Sequence, residues 1–459
     1  MYQHIKGISL LMVFGVLCSL FLVPGAMAGK GSPPPGSGSL DVSFDSDGKV
    51  VTDFGTTVES VTAVAIQADG KIVAAGYAST GTGNSTNFAV ARYLANGALD
   101  TSFGVGGKVS TPIFNSNNFS NVGDMVIQAD GKIILAGYVT VGSSADAGGS
   151  SIWNQDFALV RYNTDGSLDS AFGSGGIVTT SLSPNEDVIQ YIELQADGRI
   201  VVTGYTVLYT NCNWGCSSAS NAVLARYNTN GSRDSNFGSQ GSVIITDGAL
   251  NGLAIQSSDG KIVVAGTVLN ASVYTPVLRR FNTNGALDST FGSNGLAAIP
   301  NQASTYTAIQ GDGKIVVAGK TFDLARFNSN GTLDTTFGSN GAVSTSVFGS
   351  EGSSNALALD GSDRIVLAGR KTYAPVCGRR GCTAVYDTFA LARYSSNGAV
   401  DTTFGSSGKV TTDIGVLNDE ARGLAIQADG KIVAGGLANN GTDINYDRRD
   451  DFGLARYLP

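Results

Sequence analysis

Gln67-Ala68-Asp69-Gly70-Lys71-Ile72-Val73, then Phe88-Ala89-Val90-Ala91-Arg92-Tyr93, then Leu99-Asp100-Thr101-Ser102-Phe103-Gly104: this stretch decides the fold, because its three blocks return in order along the chain. The Ile after the Asp-Gly turn recurs as Ile72, Ile133, Ile200, Ile262, Ile315, Ile365 and Ile432, at steps of 61, 67, 62, 53, 50 and 67 residues. The Arg of the second block recurs as Arg92, Arg161, Arg226, Arg280, Arg326, Arg393 and Arg456. The Asp of the third recurs as Asp41, Asp100, Asp169, Asp234, Asp288, Asp334 and Asp401. Self-similarity at this period marks propellers, solenoids or arrays, in which each unit buries its apolar faces against its neighbours.

Within a unit the hydrophobic period is two, and Val, Ile, Thr, Tyr and Phe are punctuated by Gly, Asn, Asp and Ser, so the units are built of strands. The first unit predicts strands at Lys49–Asp53, Ala63–Gln67, Lys71–Gly76 and Phe88–Tyr93, with Ala68-Asp69-Gly70 as a hairpin turn. Ile72 and Ala74 alternate with Val73 and Ala75, so both faces of that strand are apolar and both must be covered. Stacking small sheets around an axis does this, and predicts an all-β fold: a single seven-bladed β-propeller of four-stranded antiparallel blades over residues 40–459, with a shifted blade boundary that pairs Gly453–Tyr457 beside the first strand left as an open alternative.

The blocks Gly-x-Leu-Asp-x-x-Phe-Gly, Gln-Ala-Asp-Gly-Lys-Ile-Val and Leu-Ala-Arg-Tyr resemble the delta-60 repeat, a bacterial β-propeller repeat of unknown function, from Leu40 to the end. The resemblance implies the fold and carries no reaction or catalytic residue. Three units depart locally: Asp45 stands where Gly is expected, Arg233 where Leu is expected, and Leu359-Asp360-Gly361-Ser362-Asp363-Arg364 replaces the usual turn. There is no Trp-Asp ending; the tryptophans are Trp153 and Trp214.

Residues 1–28 read as an export signal: Lys6, an apolar run from Ile8 to Val23, and a small-residue site ending at Ala28. Lipidation at Cys18 is disfavoured by Leu17 before it. Gly29 to Ser39 is a Gly/Ser/Pro-rich linker. The expected product is secreted, periplasmic or at the cell surface, without membrane insertion and monomeric. Loss of the signal removes His4, the only histidine, and moves the formal charge from −8 to −9 because Lys6 goes too. Histidine-dependent triads, zinc sites and proton shuttles are thereby excluded from the mature chain. With no basic run, nucleic acid is excluded as a partner.

Strand directions place the Asp-Gly turns and the Leu-Asp-x-x-Phe segments on one uniform face, and the other connections on a variable one. Long variable connections are expected at Thr140–Gln155, Thr206–Asn221, Lys371–Asp387 and Ala438–Asp450. Two contain local cysteine pairs, Cys212 with Cys216 and Cys377 with Cys382, which in an exported chain read as two short disulfides, with zinc as the competing reading. Trp214, Tyr209, Tyr205, Tyr373, Arg379 and Arg380 are the expected ligand-binding groups, of the types that dominate binding hot spots. The partner is expected to be a polysaccharide or a surface protein, with a passive scaffold as another possibility.

Each repeat Arg shares a strand face with apolar residues and needs a partner. The expected partner is the Asp of an adjacent third block in a planar two-bond pair, giving Arg92, Arg161, Arg226, Arg280, Arg326 and Arg393 with Asp100, Asp169, Asp234, Asp288, Asp334 and Asp401. The alternative is a ring of arginines lining a channel for anions. No cofactor or metal is expected; the nearest calcium-like string is Asp45-Ser46-Asp47-Gly48. No catalytic constellation stands out. The alternative function is a hydrolase or lyase using acids in the channel, from among Asp124, Glu186, Asp187, Asp247, Glu351, Asp419 and Glu420.

Overall fold

The computed structural model describes residues 36–79, 85–113, 119–145, 151–210, 217–270, 273–300, 305–344, 347–374, 377–378, 381–382, 386–416, 418–442 and 448–459. Nearly all regular structure there is strand; the single helical turn among the described residues is Gly349–Glu351. The strands form five four-stranded antiparallel sheets, and one of eight in which two four-strand ladders touch through a parallel contact of Glu186 with Gln155. A two-residue ladder at Cys377–Gly378 and Gly381–Cys382 is separate.

The first ladder runs Glu59–Ile66, Ile72–Ser79, Thr86–Tyr93, Lys108–Thr111. The strand Lys49–Thr52, expected from the sequence in the same unit, belongs elsewhere: it pairs with Phe452–Ala455 and completes the last ladder, after Glu420–Ile426, Ile432–Thr442 and Arg448–Tyr457. The repeat is thus out of phase with the sheet by one strand. The two chain ends share one ladder, and residues 36–39, expected to end a linker, take part: Gly38 N–H donates to Leu458 O at 2.9 Å.

Both faces of each ladder are covered, as the double apolar alternation requires. Val73, Ala75, Phe88 and Val90 pack with Met125, Ile133 and Leu135 of the next ladder. From the opposite face Ile72, Ala74, Ala89 and Tyr93 pack with Val433, Phe452 and Leu454 of the last. Hydroxyl pairs reinforce these contacts: Tyr93 bonds Thr52 at 2.8 Å, Tyr162 bonds Thr111 at 2.7 Å and Tyr457 bonds Thr412 at 2.9 Å, each across a ladder boundary.

The repeat arginines anchor the boundaries. Each lies against the Asp eight residues downstream, at 2.8 Å for Arg92–Asp100 and Arg161–Asp169, and 2.7 Å for Arg280–Asp288. The last one, Arg456, pairs instead with Asp41 from the start of the chain at 2.9 Å. At Arg226 both Nε and Nη2 meet the same oxygen, Asp234 Oδ2, at 2.8 Å, so the two bonds of the pair share one oxygen. The other oxygen, Oδ1, accepts the Asn236 N–H at 3.1 Å and so holds the turn. Arg226 Nη1 reaches Gln195 Oε1 at 3.2 Å and the Thr283 carbonyl of the next repeat, while the guanidinium lies 4.6 Å over the Phe237 ring. The turn cation joins in, as Lys71 does to Asp100 at 3.3 Å. Burial pushes the Asp100 carboxyl up, but the Ser102 hydroxyl and N–H and the Arg92 charge outweigh it and hold the pKa down at about 2.

The local departures are absorbed by the same frame. Asp45 adopts φ 47°, close to the 56° of Gly104, and its N–H meets Asn96 O at 2.8 Å as Gly104 N–H meets Asp165 O. In the calcium-like string Asp47 accepts the Lys49 N–H at 2.9 Å, which makes it a turn cap.

Removing one partner of a buried pair leaves an unpaired charge, at a cost of roughly 3–5 kcal/mol. Arg226→Ala is expected to lower unfolding free energy by that order in a denaturant titration; an unchanged midpoint would remove the arginine from the scaffold. Deleting residues 452–459 takes away the partner of Lys49–Thr52 together with Arg456, and should abolish cooperative unfolding, whereas deleting residues 29–35 should leave the melting curve intact.

Candidate functional site

The innermost strand carries an irregularity at one repeat position in six of the seven ladders, while Tyr306–Ile309 of the fifth pairs without one. Register shifts fall between Val61 and Ala63, Val122 and Asp124, Ile189 and Tyr191, Leu250 and Leu253, Ser354 and Ala356, and Ala421 and Gly423. Such bulges re-aim side chains. They also explain a glycine in the neighbouring strand: a Cβ on Gly76 would lie 1.9 Å from Ser60 O, and one on Gly137 1.9 Å from Asn121 O.

These segments, with Tyr306 and Thr307 of the fifth ladder, surround one cavity of about 500 Å³. The position nine residues before the turn Ile, allowing for one extra residue in the fourth turn, reads Ala63, Asp124, Tyr191, Gly252, Tyr306, Ala356 and Gly423, and every one of them lines it. Glu193 lines it too, although its repeat position is otherwise Ala or Val: Ala65, Val126, Ala254, Ala308, Ala358 and Ala425. That interruption of an otherwise apolar repeat position is legible in the sequence, yet Glu193 is absent from the acids singled out there.

Asp124 Oδ1 accepts the Met125 N–H at 2.8 Å and Oδ2 the Ile192 N–H of the third ladder at 3.2 Å. The side chain touches the cavity but is walled by protein, and this desolvation, against the two N–H bonds, raises its pKa to about 7. Burial, with the Asp124 charge adding to it, raises Glu193 to about 8. Tyr191 and Tyr306 stand beside them edge to face at 6.4 Å. The cavity's cation, Arg422, is engaged: Nε and Nη2 lie 3.0 and 2.9 Å from Glu420 Oε2, and Nη1 3.1 Å from Ser60 Oγ. None of the repeat arginines lines the cavity, so the anion-channel alternative finds no support in their placement.

The other acids singled out in the sequence have local roles. Asp187 accepts the Leu182 and Ser183 N–H groups at 2.6 and 3.0 Å; Asp419 accepts those of Ile414, Gly415 and Asn439 at 2.7, 2.9 and 3.0 Å. Both are loop caps. Asp247 meets Arg279 at 3.0 Å, Glu351 meets Lys371 at 3.2 Å, and Glu186 accepts from the Tyr209 hydroxyl at 2.8 Å. Asp53, Glu59 and Asp451 lie close enough together to hold a metal ion, but Glu59 already accepts the Phe54 N–H at 2.9 Å and the Thr56 N–H at 3.1 Å.

On the variable face the long connections are largely prolonged strands. Ile133–Ala145 pairs with Ser151–Tyr162 as far as Ala145 opposite Ser151, and Ile200–Thr210 with Ser217–Tyr227 as far as Thr210 opposite Ser217. Near the end of the first of these hairpins Trp153 is 42% exposed, and near the end of the hairpin Ile262–Asn270 with Val273–Phe281 Tyr274 is 63% exposed. Tyr373 stacks on Tyr386 with ring centres 4.9 Å apart and planes at 10°, and the Lys371 ammonium sits 5.4 Å from the Tyr373 ring centre. Trp214, Arg379, Arg380, Cys212 and Cys216 lie outside the described residues. The backbone sets Cys377 directly opposite Cys382.

Segments 67–103, 128–148, 146–172, 195–237, 257–291, 310–337 and 383–404 match a family described as "Domain of unknown function (DUF5122) beta-propeller". The chain is a β-propeller repeat protein. Among solved structures, a Dos1 propeller is 10% identical, with 89% of this chain and 94% of that one covered at a TM-score of 0.42. Sqt1 from Chaetomium thermophilum is 12% identical, with 88% and 96% covered at 0.39. The gluconolactonase XC5397 from Xanthomonas campestris is 12% identical, with 68% and 94% covered at 0.35. A search of curated proteins found no match. What the propeller does therefore has to be read from its own residues.

Asp124 and Glu193 make the propeller's stability depend on pH. Both are neutral in the folded state up to about 7 and 8, while in the unfolded chain they ionise near their ordinary 3.8 and 4.5. Between those values the folded state binds more protons, so this stabilisation is complete below about pH 4 and is lost as pH rises through 7–8. Glu59 and Asp419, raised by burial to about 7 and 6, act in the same direction. The melting temperature is expected to fall from pH 5 to pH 8.5, and to fall less in Glu193→Gln; identical slopes would contradict the assignment.

Proposed function

We propose that this protein is an exported, monomeric, seven-bladed β-propeller that works as a binding module at or near the cell surface. It recognises a polysaccharide or a surface protein through the face bearing the long hairpins. Seven blades are supported by the ladders, each sharing a core with the next and the last sharing one with the first. The observation that carries the binding reading is the aromatic display, with the Tyr373–Tyr386 stack, Trp153 and Tyr274 all near hairpin ends on one side. Rigid aromatic groups on a fixed scaffold offer contact area at little entropic cost. Trp214, Arg379 and Arg380 are assigned to the same surface, and disulfides at Cys212–Cys216 and Cys377–Cys382 would hold their loops. For the latter pair the support is directly opposed backbones, about 4.5–5.5 Å apart, which suits a disulfide.

A second reading, a hydrolase or lyase in the channel, is favoured by the convergence of Asp124 and Glu193 at one ladder boundary. Binding of the oxidised mature protein to arrays of polysaccharides and envelope fractions, with and without calcium, tests both. Saturable binding that drops about tenfold in Tyr373→Ala or Trp214→Ala is expected from anchors of this type. Turnover of a bound polysaccharide lost in Glu193→Gln would replace the first reading by the second, and binding indifferent to every aromatic substitution would remove the first.

A further inference from the structure

The repeats serve as an internal control. Six of them carry Ala or Val at the Glu193 position, where only Val126 also lines the cavity, and none of the others places an acid at the Asp124 position, so neither carboxyl is needed to form a blade. A pair of desolvated acids is costly to ionise side by side unless something neutralises it. The one cationic side chain lining the cavity, Arg422, is taken up by Glu420, and no cation among the described residues pairs with Asp124 or Glu193. The same wall offers the Tyr191 and Tyr306 rings, and Thr307 Oγ1, buried with no hydrogen-bond partner. About 500 Å³ is room for a small organic molecule, well beyond a bare ion.

We propose that the channel cavity binds a small organic cation, a molecule carrying a protonated primary amine, held by Asp124 and Glu193 with the Tyr191 and Tyr306 rings beside it. Carboxylates supply charge-assisted hydrogen bonds to the ammonium, and ring faces attract cations. Calcium is the poorer fit: it asks for six to eight oxygens, and the Asp124 oxygens are already drawn on by the N–H groups of Met125 and Ile192. The site is independent of the hairpin face and needs no turnover.

Calorimetric titration at pH 8.5 of the full mature protein with glucosamine and putrescine, against glucose, 1,4-butanediol and calcium chloride, tests the assignment. Saturable binding of at least one amine is expected, absent for its neutral counterpart and weakened about tenfold or more in Glu193→Ala, as loss of a hydrogen bond between charged groups implies. Because Ala occupies this position in other repeats, that variant should fold; Asp124→Asn probes the same wall a second time. Equal binding of the neutral counterpart, binding untouched by either variant, calcium binding alone, or no binding of either amine would overturn the proposal. None of these outcomes bears on the hairpin face, whose test uses other residues.

Discussion

The buried guanidinium is the constraint on which the rest depends. Arg226 illustrates its reach: one side chain meets the Asp234 carboxylate of its own turn, the Gln195 amide of the preceding hairpin, a carbonyl of the next repeat and the Phe237 ring. A lone charge in that position would be prohibitive, so the surrounding groups have to be present together. The three sequence blocks recur as a set for this reason: Gln from the hairpin, replaced by Asp360 in the sixth repeat, Arg from the third strand, Asp and Phe from the crossing segment. The Arg–Phe distance is 4.4 Å at Arg161 and 4.7 Å at Arg280, so the arrangement repeats almost unchanged despite repeat lengths that vary from 50 to 67 residues. Length variation is absorbed elsewhere.

Where it is absorbed follows from strand direction. The guanidinium clusters occupy the side of the Asp-Gly turns, which leaves the opposite hairpins free to lengthen. The fifth ladder shows the minimum, with strands Ile315–Ala318 and Leu324–Phe327 of four residues each; the second shows the other extreme, at 13 and 12. A lengthened antiparallel hairpin continues its ladder of backbone bonds, so it projects side chains rigidly where a coil of equal length would not. Tyr373 and Tyr386 are cross-strand partners in such an extension, and that pairing fixes their stacking.

Blade architecture was legible because each of its requirements falls on a distinct residue type: alternation on both strand faces, a Gly at the turn, one polar cluster per repeat. The phase was not. A period reads the same wherever the unit is cut, and only pairing shows that Lys49–Thr52 lies beside Phe452–Ala455. Nor was the geometry of the ion pair: that Asp234 splits its two oxygens between Arg226 and the Asn236 N–H depends on the turn conformation, to which the spacing of eight residues is silent. Asp124 stood among the acids outside the pattern, whereas Glu193 did not, because it had to be compared with Ala and Val at its position in other copies. The Gly76 series was a second unread signal, since a glycine in mid-strand implies a close backbone opposite, here the bulge that turns the wall toward the channel.

The acids of the channel and the acids of the scaffold illustrate two solutions to burying a carboxyl. Asp100 is surrounded by donors and by Arg92, and its charge is favoured; Glu193 is desolvated with the Asp124 carboxyl for a neighbour, and its charge is opposed. The first solution repeats through the molecule because it stabilises every boundary. The second sits at one boundary, where it lowers stability at neutral pH and above, at a repeat position that the other copies fill with Ala or Val. Protonation holds both groups neutral up to about 7 and 8, and the N–H groups of Met125 and Ile192 already draw on Asp124. Above that range the pair ionises, and the positive charge of the proposed amine is the chemistry that would offset it.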